Sequence, residues 1–323
     1  MGNELEHIAQ ALVAEGKGIL AADESDGTIK KRFSIDVEST EENRRAYREL
    51  LFTTEGVEEY ISGVILFDET IRQSASDGTP FPELLESRGV IPGIKVDKGA
   101  KPLAKAEGET ITEGLDGLRD RLNEYRELGA KFTKWRATYS IGDGTPSEYC
   151  VWVNAHALAR YAALSQEAGL VPIVEPEVLM DGGHTIERSF EVTSRTLHAV
   201  FTELRDQRIE PEGMLLKPNM VISGKGSATQ ASAQEVAEWT IRCFRETVPA
   251  AVPGIVFLSG GQSDEQASEN LNAINSLGPQ PWVLSFSYGR ALQAPRIKRQ
   301  APPLGLAPFA RVGESVSPPV LSG

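Results

Sequence analysis

Short apolar runs alternate with segments in which apolar residues recur every three or four positions along most of this chain. Glycine, proline and acidic residues bound the short runs, which predicts buried strands separated by amphipathic helices. The predicted strands are Ile19 to Ala22, Tyr60 to Phe67, Ile91 to Val96, Lys131 to Tyr139, Leu170 to Val178, Gly213 to Asn219, Ile255 to Leu258 and Pro281 to Ser287.

The helical spacing is clearest near the start, where Leu5, Ile8, Ala9 and Leu12 recur on one face. Eight strands, most of them separated by a helix, favour an α/β fold in which a parallel sheet closes into a (β/α)8 TIM barrel. The predicted helices are 1–15, Thr40 to Leu51 with Ser39 and Thr40 as capping candidates, Glu113 to Leu128, Trp152 to Ala168, His184 to Arg205 and Gln234 to Val248.

The last stretch of the chain breaks this pattern. Proline inside a helix costs about 3 kcal/mol, so the eighth helix expected after Arg290 is predicted to be missing or atypical. We therefore divide the chain into a barrel domain over 1–294 and an atypical, disordered tail over 295–323. The prolines of the tail are Pro295, Pro302, Pro303, Pro308, Pro318 and Pro319.

Composition limits the classes of function. The 323 residues carry a net charge of −13, which argues against nucleic acid or an anionic membrane as the main partner. No apolar run approaches the roughly 18 residues of a membrane span, and residues 1–10 do not resemble a signal peptide. A cytoplasmic protein is expected. Cys150 and Cys243 form no CxxC motif and the four histidines show no ligand spacing, so neither a metal nor a redox function is expected.

Lys217 is the first candidate for chemistry, because it ends the predicted sixth strand and precedes Pro218. A partly desolvated lysine there could supply the neutral amine that attacks a carbonyl carbon. Taken alone, a lysine at such a position more often extends its ammonium group to solvent at the rim of the barrel.

The C-terminal ends of barrel strands converge on one face, where catalytic residues gather. A single Glu-x-Glu is usually ion-paired and a single Ser-Gly-Gly is usually a turn, but their joint occurrence at successive strand ends indicates a site. We expect Lys134 to lower the pKa of Lys217 by repulsion, a carboxylate to shuttle protons, and the glycine-rich turn with Arg290 to hold a phosphate. A sugar phosphate suits this basic pocket, whose residues are Asp23, Lys95, Lys134, Arg136, Glu175, Glu177, Lys217, Ser259, Gly260, Gly261, Gly289 and Arg290.

Seven motifs together resemble class I fructose-bisphosphate aldolase, a lyase of glycolysis and gluconeogenesis. They occur in the family's order and run from the N-terminus to about Ala294. The motifs are AADES at 21–25, GIKVDKG at 93–99, KWR at 134–136, IVEPE at 173–177, LLKPNM at 215–220, FLSGGQS at 257–263 and FSYGRALQ at 286–293.

The resemblance implies a role for each catalytic residue. Lys217 would form a Schiff base with the ketose carbonyl, and Glu175 would be the principal proton donor and acceptor. Glu177 and Lys134 would assist, and Asp23 would take the proton from the hydroxyl on carbon 4 as the carbon–carbon bond breaks. No cofactor or metal is implied, and the assembly implied is a homotetramer.

The resemblance also assigns two phosphate sites. The first, for the phosphate on carbon 1, comprises Ser259, Gly260, Gly261, Ser287, Gly289 and Arg290. The second comprises Ser25, Thr28, Arg32, Lys95 and Arg136, with Arg44 a weaker candidate. His184 lies in a DGGH segment and is expected to be structural.

Two other functions stay open from the sequence: another Schiff-base enzyme such as a transaldolase, and a catalytically impaired homologue that binds partners. The sequence does not distinguish fructose 1,6-bisphosphate from fructose 1-phosphate as the preferred substrate. The tail departs from the family, which continues with a long helix and a mobile arm that ends in tyrosine, whereas no tyrosine follows Tyr288 here. We therefore expect low turnover and marginal stability.

Overall fold

A computed structural model of the protein describes residues 2–30, 38–289 and 292. In this part of the chain, eight parallel strands close into a barrel in the order β1-β10-β9-β8-β7-β6-β3-β2, and β4 and β5 form a separate hairpin. The strands are β1 (Gly18–Ala21), β2 (Ile61–Leu66), β3 (Ile91–Lys95), β4 (Ala100–Pro102), β5 (Thr110–Thr112), β6 (Phe132–Tyr139), β7 (Val171–Val178), β8 (Leu215–Leu216), β9 (Gly254–Phe257) and β10 (Val283–Tyr288). The predicted TIM barrel is confirmed.

Helices follow or precede these strands around the outside of the barrel. They are α1 (Gly2–Leu12), α2 (Asp26–Lys30), α3 (Glu41–Phe52), α4 (Val57–Tyr60), α5 (Asp68–Ile71), α6 (Phe81–Ser87), α7 (Leu118–Glu127), α8 (Glu148–Glu167), α9 (Ile186–Asp206), α10 (Ala233–Thr247) and α11 (Asp264–Ser276). The hairpin and the helices α2, α4, α5, α6 and α11 were not among the predicted elements. All of them except α11 are too short to show a clear period. The 13 residues of α11 are mostly polar, and its buried residues are Ala267, Asn270, Leu271 and Ile274.

The interior of the barrel has an apolar layer that α1 covers from one end. Leu5, Ala9 and Leu12 of α1 pack in one buried cluster with Ile65 and Phe132. Further members of the same cluster come from β1, β7, β8 and β9. Because apolar side chains fill this part of the barrel, the polar side chains of the same strands lie beyond it, toward the C-terminal ends.

Side-chain caps fix where several helices begin. Ser147 accepts a hydrogen bond from the Cys150 N–H, so α8 begins at Glu148 and not at the predicted Trp152. Glu109 accepts hydrogen bonds from both the backbone N–H and the hydroxyl of Ser147, each at 2.6 Å, and thereby joins the hairpin to α8. Thr40 caps α3 through the Asn43 N–H, as predicted.

Two predicted boundaries were wrong for physical reasons. The helix predicted from Glu113 begins at Leu118, because Gly114 and Gly117 have φ values of +130° and +64°, which no helix accommodates. The strand predicted from Gly213 to Asn219 pairs only over its two residues Leu215 and Leu216. The short 3-10 helix Pro211–Gly213 precedes it, and Pro218 has no N–H to continue the pairing.

The prediction for the tail lies outside the described residues, as do the predictions for Arg32 and Arg290. The division into a domain over 1–294 and a tail therefore stays a prediction.

Gly93 is a position where the barrel requires a glycine. A Cβ atom there would lie 2.4 Å from the ring of Phe132, its partner in the β3–β6 pair, which is fully buried. We expect Gly93→Ala to lower the free energy of unfolding by about 1–3 kcal/mol, because the ring or the backbone must move in a packed interior. Denaturant titration measures this, with Gly27→Ala as a control, since nothing lies within 4 Å of that Cβ. Equal midpoints for the two variants would contradict the prediction.

Candidate active site

Four charged side chains meet at the C-terminal end of the barrel. The Lys134 ammonium lies 2.6 Å from an Asp23 carboxylate oxygen and 3.2 Å from Oε2 of Glu175. The Lys217 ammonium lies 3.3 Å from Oε1 of Glu175. Lys134, Glu175 and Lys217 are almost fully buried. The structure thus brings together four of the five predicted catalytic residues in one cluster.

The strand geometry accounts for this convergence. Glu175 and Glu177 lie two apart on β7, so both point to the same side of the sheet, and the same holds for Lys134 and Arg136 on β6. Lys217 directly follows β8, and its N–H donates to the Val174 carbonyl at 2.8 Å. This bond continues the register in which Leu216 pairs with Val174, so Lys217 comes level with Glu175 of the neighbouring strand.

Electrostatic attraction keeps the cluster ionised in spite of burial. Burial alone would raise the pKa of Asp23, but attraction to Lys134 and Lys217 outweighs burial and holds this pKa far below its ordinary value. Burial would likewise raise the pKa of Glu175, and Lys134, Lys217 and Arg136 together lower it. Burial would lower the pKa of Lys134, but Asp23 and Glu175 raise it above its ordinary value. Lys134 therefore stays charged and holds two carboxylates ready to accept protons.

The fifth predicted catalytic residue, Glu177, lies apart from the Lys217 ammonium. It is buried and forms an ion pair with the Arg136 guanidinium, which is partly exposed. The Glu177 carboxylate therefore holds the Arg136 guanidinium in place at the rim of the barrel, next to the buried cluster.

Lys95, predicted to handle the second phosphate, also has a carboxylate partner. Its ammonium lies 2.7 Å from an Asp97 oxygen and donates to the Asp97 backbone carbonyl at 2.9 Å. The other Asp97 carboxylate oxygen accepts a hydrogen bond from the backbone N–H of Arg136 at 3.3 Å. Asp97 was not among the predicted site residues, although its position two residues after Lys95 in the GIKVDKG motif was a signal for this ion pair.

Arg44 is the most fully engaged of the predicted cations. Its guanidinium donates to both oxygens of Glu69, at 2.8 and 2.5 Å, and to the Ser39 carbonyl. Ser25 and Thr28 are exposed at the first turn of α2, with their hydroxyl oxygens 3.2 Å apart. Arg32, which lies between α2 and α3 in the sequence, is outside the described residues.

The residues predicted for the phosphate on carbon 1 lie at neighbouring strand ends. Ser259, Gly260 and Gly261 follow β9, and the two glycines have φ values of +57° and +85°. Ser287 and Gly289 lie at the end of β10, the strand paired with β9. A Cβ atom on Gly289 would lie 3.1 Å from the Ala21 carbonyl, so β1 approaches this position closely. Arg290 lies outside the described residues.

His184 lies in the loop after β7, away from the charged cluster. Its carbonyl accepts from the Gly224 N–H at 2.9 Å, which ties this loop to the one after β8. Burial, with a smaller effect from Arg188, lowers the pKa of its imidazole. These features fit the structural role predicted for it.

Within the described residues, no group of three or more His, Cys, Asp or Glu side chains is arranged to hold a metal ion. The helices in that part of the chain include none that is both long and apolar enough to cross a membrane.

Comparison with known proteins agrees with this geometry. The family model described as fructose-bisphosphate aldolase class-I matches residues 4–301, which include every motif named above. A solved structure of fructose-bisphosphate aldolase from Plasmodium falciparum, in complex with TRAP and a small-molecule inhibitor, superposes with a TM-score of 0.91 at 49% identity. That match covers 97% of this chain and 90% of the other.

Curated relatives are more similar still. A probable fructose-bisphosphate aldolase class 1 of Xanthomonas campestris is 62% identical over 91% of this chain and 89% of its own length. The cytosolic fructose-bisphosphate aldolase 4 of Arabidopsis thaliana is 58% identical over 88% of this chain and 72% of its own length. With a barrel that carries two buried lysines around one glutamate, and with these matches over most of its length, the chain belongs to the class I fructose-bisphosphate aldolase family.

Proposed function

We propose that this chain reversibly cleaves fructose 1,6-bisphosphate into dihydroxyacetone phosphate and glyceraldehyde 3-phosphate through a Schiff base on Lys217. The observation that carries this proposal is the position of Glu175, whose two carboxylate oxygens lie 3.2 Å from the Lys134 ammonium and 3.3 Å from the Lys217 ammonium. One carboxylate thus contacts the nucleophile and a second cation that keeps the carboxylate ionised.

In the first half of the proposed reaction, Glu175 accepts a proton from the Lys217 ammonium. The neutral amine then attacks carbon 2 of the open-chain ketose, and one of the two protons on the attacking nitrogen passes to the former carbonyl oxygen, which gives a neutral carbinolamine. Glu175 returns a proton to the carbinolamine hydroxyl, which leaves as water, and the nitrogen becomes an iminium. The lowered pKa of Glu175 means that this residue begins the cycle as the carboxylate, without a proton of its own.

In the second half, Asp23 takes the proton from the hydroxyl on carbon 4. The bond between carbons 3 and 4 breaks, its electron pair moves toward the iminium, and glyceraldehyde 3-phosphate leaves as the aldehyde. The proton that Asp23 took is returned to carbon 3 of the enamine, which restores the iminium, and addition of water to the iminium then releases dihydroxyacetone phosphate and free Lys217. Lys134, 2.6 Å from Asp23, keeps this base ionised, because burial alone would favour its neutral form.

We assign the two phosphates to two different sets of residues at the C-terminal end of the barrel. The backbone around Ser259, Gly260 and Gly261 would hold the phosphate on carbon 1, since glycine lets N–H groups approach the anion closely. Arg290 would complete this site. Lys95 and Arg136, with Ser25, Thr28 and Arg32, would hold the second phosphate, and Arg44 would act only through a rearrangement of its pairing with Glu69.

We also propose a cytoplasmic homotetramer. Two of the Arabidopsis relatives are named cytosolic, which supports the compartment. Tyr149 and Trp152 on α8 have exposed fractions of 45% and 58%, which supports an association surface there. Sedimentation at several protein concentrations would measure the subunit count.

The Schiff base gives the most direct test of the function. Borohydride reduction in the presence of dihydroxyacetone phosphate should attach the three-carbon unit to Lys217, and peptide mass spectrometry locates the adduct. We expect Lys217→Met to abolish both trapping and cleavage. Lys131→Met serves as a control, because Lys131 pairs with Glu86 near the opposite end of the barrel. This variant should keep both trapping and cleavage. A Lys217→Met protein that still traps and cleaves would overturn the proposal.

The role of Lys134 predicts a change in pH dependence. Lys134→Met removes the cation that most strongly lowers the pKa of Asp23 and Glu175, so both pKa values should rise. Since each carboxyl acts as a base only above its pKa, the acid limb of the kcat/KM profile should move to higher pH, and kcat should fall by roughly 10²–10⁴-fold. An acid limb that stays in place, relative to the Lys131→Met control, would contradict this role.

The proposed mechanism uses no metal, and the sequence has no histidine-rich ligand set of the kind that zinc requires. We expect full activity in excess EDTA, because the iminium accepts electrons where a zinc ion would otherwise polarise the carbonyl. A steady-state assay before and after chelation measures this. Activity lost on chelation and restored by zinc would refute the prediction.

A further inference from the structure

The glycine-rich loop after β9 rests on a buried side-chain amide. Gln262 has an exposed fraction of 3%, and its Nε2 atom donates to the Ser259 carbonyl at 3.0 Å. The backbone N–H of Gln262 donates to the same carbonyl, also at 3.0 Å. Two donors therefore hold one carbonyl oxygen of the loop, and they come from the protein side of the loop.

A second buried amide, that of Asn270, supports the orientation in which the NH2 end of the Gln262 side chain faces Ser259. Asn270 on α11 has an exposed fraction of 3%, and its Nδ2 atom donates to Oε1 of Gln262 at 2.6 Å. Because a backbone carbonyl only accepts, the NH2 end of Gln262 must face Ser259. Asn270 supports this orientation by supplying a donor to the other end.

The direction of the Ser259 carbonyl determines the direction of the next N–H group. In a trans peptide, the C=O of one residue and the N–H of the next point in opposite directions. A Ser259 carbonyl directed toward the buried Gln262 amide therefore directs the Gly260 N–H away from it. In the part of the chain that the structure describes, neither Gly260 nor Gly261 donates a backbone hydrogen bond, and Gly261 is exposed.

The two glycines make this arrangement easy to invert. Gly260 and Gly261 both have positive φ, which glycine adopts about as readily as negative φ, so within the loop the Ser259–Gly260 peptide plane is held by the hydrogen bond from the Gln262 backbone N–H. A flipped plane would present a carbonyl oxygen where an anion must bind, and this would repel a phosphate. The Gln262 side-chain amide adds a second donor to the Ser259 carbonyl and so strengthens the orientation in which the Gly260 N–H faces the anion.

We propose that Gln262 is a positioning residue that sets the orientation of the Ser259–Gly260 peptide and thereby the affinity for the phosphate on carbon 1. This inference rests on the phosphate site proposed above. Gln262 acts through the backbone of the loop, and Asn270 acts through Gln262. The same side chain lies 3.8 Å from the Met220 sulfur, in the segment that follows Lys217, so it also joins the phosphate loop to the strand end of the nucleophile.

The test is Gln262→Met, which keeps the length of the side chain and removes its hydrogen bonds. We expect KM for fructose 1,6-bisphosphate and for fructose 1-phosphate to rise by the same factor, about three- to tenfold, because both carry the phosphate on carbon 1. Borohydride trapping with unphosphorylated dihydroxyacetone should proceed at the wild-type rate. A purely structural role would instead slow trapping with and without the phosphate.

Two further variants keep the result interpretable. Asn270→Ala should raise both KM values by a smaller factor than Gln262→Met does. It replaces Gln262→Met as the test if that variant fails to fold. Asn154→Ala removes another buried amide, on α8, where it donates to the Thr110 and Cys150 carbonyls. This control should lose stability and keep the wild-type KM values.

The outcomes separate this inference from the proposed function. If the wild-type chain cleaves neither substrate, the proposed function fails. If it cleaves both, and Ser259→Ala raises both KM values while Gln262→Met and Asn270→Ala do not, the phosphate site stands and the inference about Gln262 is overturned. Slower trapping of dihydroxyacetone in Gln262→Met would overturn it as well.

Discussion

The ion-pair cluster of Asp23, Lys134, Glu175 and Lys217 is the interaction on which the rest of the site depends. Two ammonium groups and two carboxylates balance in charge inside a region that excludes most water. Each charge would be costly to bury alone, and the loss of one partner from a buried pair costs several kcal/mol. The same mutual dependence sets the chemistry, because Lys134 keeps two bases ionised that burial would otherwise neutralise.

The barrel meets the requirements of this cluster by separating its interior into layers. Apolar side chains of the strands and of α1 fill one end, with Phe132 packed against Gly93 so closely that no side chain fits there. The polar side chains of the same strands are left at the other end, where each strand contributes at the point at which its pairing stops. Lys217 shows this most directly, since Pro218 ends the shortest strand immediately after it.

The two proposed phosphate sites differ in kind. One site would hold the phosphate that is not on carbon 1. There, each cation that the structure describes already has a carboxylate partner: Asp97 pairs with Lys95, Glu177 with Arg136 and Glu69 with Arg44. An incoming phosphate there must compete with these carboxylates or share their cations. At the other site, the loop after β9 offers backbone N–H groups, and the buried Gln262 amide holds the loop from the protein side. Orientation of the backbone matters more at the site of the glycine-rich loop, and charge balance matters more at the site of Lys95 and Arg136.

The sequence by itself determined the fold class and which residue types stand at the ends of the barrel strands. Short, mainly apolar runs mark the strands of the barrel, because both faces of these strands are buried. The motifs at the strand ends identify the residue types of the site, since parallel strands place those ends together. Boundaries were less certain, as at α7 and α8, because glycine conformation and a serine cap decide them locally.

Only the tertiary structure decided which of these charges contact one another. Nothing in the order of residues shows that Glu175 lies between Lys134 and Lys217 while Glu177, two residues later, pairs with Arg136. That choice depends on the register between β6, β7 and β8, which is set by packing across the whole barrel. The support of Ser259 by Gln262 and Asn270 likewise depends on how α11 packs behind the loop. Contacts between elements distant in sequence carry no local signal, so the pairing of charges and the orientation of the loop become visible only in the folded chain.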